Sequence, residues 1–162
     1  MYKIDKLLKA EGKLFHTQDL AVIWEINNKN TLYTTIKRYV QKGILIPVFK
    51  GLYSTVPISS LDPYLLGSYV LHSFCYVTTE TVLYNEGLIS QKIQVITFAS
   101  SVSKKFTIGD HGFLSRKIKN EILFDQKGIY EKDGVFWATS ERAVSDMLYF
   151  NPNYHLDKKE DY

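Results

Sequence analysis

The chain has 162 residues, 45% of them hydrophobic and 23% charged, at a net charge of +3, which suits one globular domain or two small ones and excludes intrinsic disorder and fibrous repeats. Its apolar runs, such as 43–49, fall far short of the roughly 20 residues that span a bilayer, and the N-terminal MYKIDKLLKAEGK does not read as a signal peptide. A cytoplasmic protein without membrane association is expected. With Cys75 as its single cysteine and four scattered histidines, the chain leads to no expected disulfide, metal site or cofactor. The charge is uneven: residues 1–58 carry nine basic and four acidic side chains, a net of +5, and the remainder nets −2, so the first third suits a polyanionic partner.

Ile4, Leu7 and Leu8 recur at helical spacing before Gly12, which predicts a short first helix. Thr17 is a good N-cap for a second helix over 17–25, with Asp19 in its first turn and Leu20, Ala21, Ile23 and Trp24 on its apolar face. After the turn 27–30, Asn30 can cap a third helix over 31–42, in which Leu32, Ile36, Tyr39 and Val40 face a core and Gly43 ends the pattern. Residues 44–49 and 52–55 are β-prone around the Lys50-Gly51 turn, and Pro47 marks an edge element. Three helices followed by a two-stranded hairpin is the order of a winged helix-turn-helix.

A linker at 57–60 precedes Asp62-Pro63, a cap and first-turn proline opening a helix through Leu65, Leu66, Tyr69, Val70 and Phe74. Tyr76-Val77 reads as a brief strand, and Thr78 or Thr79 caps a helix carrying Val82 and Leu83 that stops at Gly87. Strands are expected over 94–99, 104–108 and 115–118, and a hairpin over 129–138 around Lys132-Asp133-Gly134. Ser140 caps a last helix with Ala143, Val144, Met147 and Leu148, and the polar tail 151–162 is expected to fray. The fold class is therefore α+β: a winged helix-turn-helix over 1–58 and a small α+β domain over 59–162.

The third helix carries the sharpest chemistry. Opposite its apolar face lie Asn30, Thr31, Tyr33, Thr34, Lys37, Arg38 and Gln41. Small and amide side chains in its first turns suit base edges, whereas Lys37, Arg38 and Lys42 suit phosphates, and Lys50 at the hairpin tip suits backbone or minor groove. A plainly solvated helix face is the alternative reading of the same pattern.

Three segments together resemble the AbiEi family, the antitoxins of type IV abortive-infection systems. They are Thr17-Gln-Asp-Leu with 31–46 and Lys50-Gly-Leu-Tyr, then 76–88, and then the Ser-Glu-Arg-containing segment 138–149. The resemblance implies a regulator that binds double-stranded DNA at inverted repeats in its own promoter, with a homodimer on DNA as one arrangement. It also implies a C-terminal domain that counters a nucleotidyltransferase-type toxin without a stable complex. Carried across, the DNA-binding candidates are Thr17, Asn30, Thr31, Tyr33, Thr34, Lys37, Arg38, Gln41, Lys42 and Lys50. Glu80, Glu141, Arg142 and Asp146 are the antitoxin-domain candidates. Read from the residues alone, Glu141 is a first-turn acid favoured by the helix dipole, and Arg142 and Asp146 are an i, i+4 pair.

No enzyme is expected, since neither GxSxG nor GxxxxGK[ST] occurs. Asp110 with Asp125-Gln-Lys127 is a faint match to the carboxylates and lysine of metal-dependent nucleases. Its bland reading is two turns, with His111 a loop residue and Cys75 a buried one. A module that binds a protein partner through the winged helix is the other alternative.

Overall fold

The computed structural model describes residues 2–156, and the part of the expected frayed tail from 157 onward lies outside the described residues. Within them the protein is a mixed α and β chain of two compact units, the first ending at Leu61 and the second beginning at Asp62. No helix among the described residues is long and apolar enough to cross a membrane.

The first unit runs α1 (Lys3–Lys9), β1 (Leu14–His16), α2 (Thr17–Trp24), α3 (Lys29–Gln41), β2 (Ile46–Phe49) and β3 (Leu52–Ser54). The expected hairpin is thus two strands of a three-stranded sheet in the order β1-β3-β2, since Leu14, Phe15 and His16 pair with Ser54, Tyr53 and Leu52. Too short to show alternation, β1 passes in the sequence for the approach to a helix. Pro47 sits on the outer strand β2, where its missing N–H costs no ladder bond on the open side. Leu7, Phe15, Leu20, Trp24, Leu32, Ile36, Tyr39 and Leu45 form one buried cluster. The Trp24 and Tyr39 rings meet at 5.0 Å to join α2 to α3, and Trp24 Nε1 donates to the Lys3 carbonyl at 3.0 Å to hold α1.

Both expected caps move upstream. His16 is the N-cap of α2, its N–H bonded to the Asp19 carboxylate at 2.8 Å, and Thr17 is the first helical residue. Asn28 caps α3 by accepting from the Thr31 N–H at 3.0 Å, which leaves Asn30 inside the first turn. Val40 is only half-buried, while Thr35 is buried because its hydroxyl bonds back to the Thr31 carbonyl at 2.8 Å.

A 3-10 turn (Ile58–Ser60) spans the expected border at 58/59. The second unit contains α4 (Pro63–Leu71), β4 (Tyr76–Val77), α5 (Glu80–Asn85), β5 (Val95–Ser100), β6 (Lys104–Ile108), β7 (His111–Lys117), α6 (Asn120–Leu123), β8 (Ile129–Lys132), β9 (Val135–Ala138) and α7 (Ser140–Phe150). They build a six-stranded sheet ordered β6-β7-β5-β4-β9-β8, in which β5/β7 and β4/β9 are parallel and the other neighbours antiparallel.

Strand register assigns the two faces. Val77, Phe98 and Phe113 point one way, and α4 lies on them at Gly67. Tyr76, Thr78, Thr97 and Ala99 point the other way, toward α5 and α7. Four expectations change here. The helix α4 stops at Leu71, where His72 turns left-handed, rather than reaching Phe74; β7 starts at His111 rather than 115; α6 is an added element; and Thr139, not Ser140, caps α7 by accepting from the Arg142 N–H at 3.3 Å.

Gly67 is where the helix meets the sheet. A Cβ placed there would lie 2.7 Å from ring atoms of Phe98 and Phe113, both of which are fully buried and have nowhere to move. Gly67→Ala is therefore expected to lower stability by about 1–3 kcal/mol in urea denaturation, although alanine is the better helix former at an open site.

Candidate nucleic-acid interface

Helix α3 is divided lengthwise. Leu32, Thr35, Ile36 and Tyr39 are buried, whereas Asn30, Thr31, Tyr33, Thr34, Lys37, Arg38, Gln41 and Lys42 are exposed. The N-terminal end of that face is polar and uncharged apart from Lys29, whose Nζ lies 5.9 Å over the Tyr33 ring. Its C-terminal end holds Lys37, Arg38 and Lys42. Lys29 is a cation that the helical pattern did not single out, and a signal for it was present: no acidic residue occurs between Glu25 and Asp62. The field of this face is therefore not neutralised by neighbours in sequence.

Two further candidates lie at the β2–β3 turn. Lys50 is exposed at its tip, and Gly51 adopts φ +74°, a left-handed conformation that a Cβ would strain. Thr17 has a different role from the α3 residues. Its N–H and its hydroxyl both donate to the Gly51 carbonyl, at 3.0 and 3.4 Å, so its side chain ties the turn to the start of α2.

The four candidates of the second unit occupy three unlike environments. Glu141 is exposed in the first turn of α7. Glu80 forms a two-pronged pair with Arg116, Nη2 to Oε2 being 2.7 Å, and Arg116 also donates to the Thr79 hydroxyl at 3.0 Å. Burial opposes the charge on Glu80, but Arg116 outweighs it and holds the carboxyl below its ordinary 4.5, while Glu80 in turn raises the Arg116 guanidinium. Thr79, which opens α5, has φ +57° and ψ −132°, a conformation an L-residue keeps only when its surroundings enforce it.

Arg142 and Asp146 are a buried pair, Nε to Oδ1 being 3.3 Å, and they do more than bridge one turn. The Arg142 guanidinium also donates to the carbonyls of Ile122, Asp125 and Lys127 and to the Tyr76 hydroxyl, at 2.6–3.0 Å. Asp146 Oδ2 accepts from Tyr76 and Thr78 at 2.9 and 2.7 Å. Burial pushes the Asp146 carboxyl upward, against the pull of these donors and of Arg142, and burial with the Asp146 charge raises the Tyr76 phenol. Every guanidinium N–H is committed within the protein, so the pair has no donor left for a ligand even though both residues line a cavity of about 720 Å³.

Asp110 and Asp125 are not brought together. Asp110 lies in the β6–β7 turn at one edge of the sheet, and Asp125 precedes β8 at the other edge. Each lines a different cavity, Asp110 and His111 one of about 300 Å³ and Asp125 the larger one. Among the described residues no group of three or more His, Cys, Asp or Glu is placed to hold a metal ion. Cys75 is buried, which pushes its thiol up to about 12, far from a reactive thiolate. A scan against protein-family models and a search of curated proteins each returned no match for this chain.

Two stability predictions follow from these pairs. Arg142→Met leaves the buried Asp146 carboxyl without its counter-charge and frees three backbone carbonyls, so a loss of about 3–5 kcal/mol is expected in chemical denaturation. Glu80 has a lowered carboxyl, so its contribution is present above pH 4.5 and disappears as the pH falls through its lower folded value. Glu80→Gln is accordingly expected to cost about 1–2 kcal/mol at neutral pH and little once the pH has fallen below the folded value, read from paired urea curves.

Proposed function

We propose that the chain is a DNA-binding transcriptional regulator whose first unit is a winged helix-turn-helix with α3 as the recognition helix. The observation that carries this reading is the long exposed face of α3, which has hydrogen-bonding side chains at its N-terminal end, cations at its C-terminal end and no acid. An α-helix of this kind fits the major groove, where Asn30, Thr31 and Thr34 would meet base edges and Lys37, Arg38 and Lys42 the flanking phosphates. The α1-β1-α2-α3-β2-β3 order supports the winged arrangement, with Lys50 on the wing. The exposed N-terminus of the 13-residue α3 adds a favourable dipole for a phosphate.

The resemblance to AbiEi antitoxins extends the proposal. The regulated promoter is the chain's own, at inverted repeats that would engage a homodimer, in the cytoplasm. The second unit counters a nucleotidyltransferase-type toxin without a stable complex. On this reading Arg142 and Asp146 hold the second unit together rather than touch the toxin, and exposed Glu141 is the antitoxin candidate open to contact.

The experiment is an anisotropy titration of the full chain against the duplex upstream of its gene and a scrambled duplex, over several salt concentrations. Lys37→Ala/Arg38→Ala is expected to weaken both complexes and flatten the slope of log K against log salt by about two units. Thr34→Ala is expected to lower the ratio between the duplexes by about 1–3 kcal/mol, with a smaller effect on the slope. Unchanged affinity in the double variant would remove α3 from the interface. Binding indifferent to salt would favour a protein partner instead.

A further inference from the structure

The cavity of about 300 Å³ that Asp110 and His111 line lies wholly within the second unit. It sits at the end of the sheet where the parallel strands β5 and β7 begin side by side, with Val95 opposite Gly112. The strands approach closely there, since a Cβ on Gly112 would lie 3.0 Å from Val95 Cγ1. Gly109, at φ +58°, turns the chain between β6 and β7 and brings Asp110 to the same end. The segment entering β5 contributes Lys92 and Gln94, α5 contributes Tyr84 and Asn85, and the start of α4 contributes Tyr64.

Two opposite charges share this lining without neutralising each other. Lys92 and Asp110 are both exposed, and neither has an ion-pair partner among the described residues, the other one included. The larger cavity is different, because Arg142 and Asp146 on its lining are paired with each other. Around Lys92 and Asp110 the walls are held in place. The Tyr64 ring packs on Trp137 at 4.7 Å, and the Thr81 hydroxyl accepts from the Thr97 N–H at 2.9 Å, which fixes α5 against β5. A site with its walls already set loses less freedom when a ligand enters.

A cavity with one cation and one anion that do not meet selects a ligand that carries both complements. An anion such as phosphate would find Lys92 but face Asp110, a cation would do the reverse, and such like-charge approach opposes binding. An uncharged ligand would use neither charge. The lining also holds the Tyr64 and Tyr84 rings with Val95 and Ile96, so the ligand has an apolar part. At about 300 Å³ the volume is at the small end of ligand pockets, which suits a single small molecule rather than a peptide.

We infer that this cavity binds a free α-amino acid with an apolar side chain. Its carboxylate meets Lys92, its ammonium group meets Asp110, and its side chain lies against the tyrosine rings. Asn85 and Gln94 supply amide donors and acceptors beside them. Charge-assisted hydrogen bonds of this kind fix the orientation of a ligand as well as hold it. The site is independent of α3 and neither requires nor contributes a DNA contact.

The test is isothermal titration calorimetry of the full chain with leucine, isoleucine, methionine, phenylalanine and tyrosine. Each is paired with its N-acetyl derivative, which lacks the ammonium group, and its amide derivative, which lacks the carboxylate. Adenosine and inorganic phosphate represent other ligand classes. At least one free amino acid is expected to bind saturably, one molecule per chain, and either derivative to bind about tenfold or more weakly, the loss of one charged hydrogen bond.

Lys92→Met is expected to weaken the free amino acid by about tenfold or more while leaving the amide derivative unchanged, and Asp110→Asn to do the same for the N-acetyl derivative. Lys127→Ala, on the lining of the larger cavity, is expected to keep the parent affinity, and circular dichroism verifies that each variant folds. Saturable binding by none of the free amino acids overturns the inference, as does equal binding of the blocked derivatives or parent affinity in either charge variant. Tighter binding of adenosine or phosphate overturns it in favour of that ligand class.

Discussion

A guanidinium removed from water must find an acceptor for every N–H, and Arg142 is where this protein meets that requirement at the largest scale. Its five donors reach Asp146, Tyr76 and three carbonyls of the segment 122–127. One side chain on α7 thereby determines where the chain leaves α6 and how it enters β8, while Asp146 secures β4 through Tyr76 and Thr78. Among the described residues no buried side-chain nitrogen or oxygen is left without a partner. The threonine group around Thr97 repeats the arrangement at smaller scale, with Thr97 Oγ1 donating 2.6 Å to the Thr78 carbonyl and Thr81 bonded beside it. Polar groups thus stitch α5 and α7 to one face of the sheet, and apolar rings pack α4 on the other.

The first unit rests on apolar burial instead. With Leu32, Ile36 and Tyr39 buried in one cluster with Trp24, Leu20 and Leu45, the rotation of α3 about its own axis is set, and its outward residues follow from that rotation. The exposed face is the remainder left by the core. The same division explains why Thr17, chosen by residue type as a cap and a contact, belongs to neither group. Its N–H and hydroxyl are both engaged by the Gly51 carbonyl.

Most helices and strands were legible in the sequence because each has its own period, cap or stop. The misses have specific causes. Caps shifted by one or two residues because several neighbours can cap and backbone geometry selects among them, as Asn28 over Asn30 shows. Strand β1 has three residues and a partner 36–40 residues away in sequence, so no local pattern announces it. That Lys104 and Lys105 share one end of the sheet with Lys117 was visible only as strand register. Likewise the Asp110 and Asp125 pattern joined residues that the sheet places at opposite edges.

By itself the sequence determined the order of most elements, the apolar stripe of α3 and the identity of the residues opposite that stripe, because side-chain periodicity is a local property. It also determined the excess of positive charge in the first third. Tertiary structure alone decided that Arg142 is a hub rather than a one-turn pair, that Thr17 serves the β2–β3 turn, and that lysines 12 to 15 residues apart share one end of a sheet. These depend on which distant groups are brought within hydrogen-bond reach or into register, and desolvation in the assembled core makes that choice.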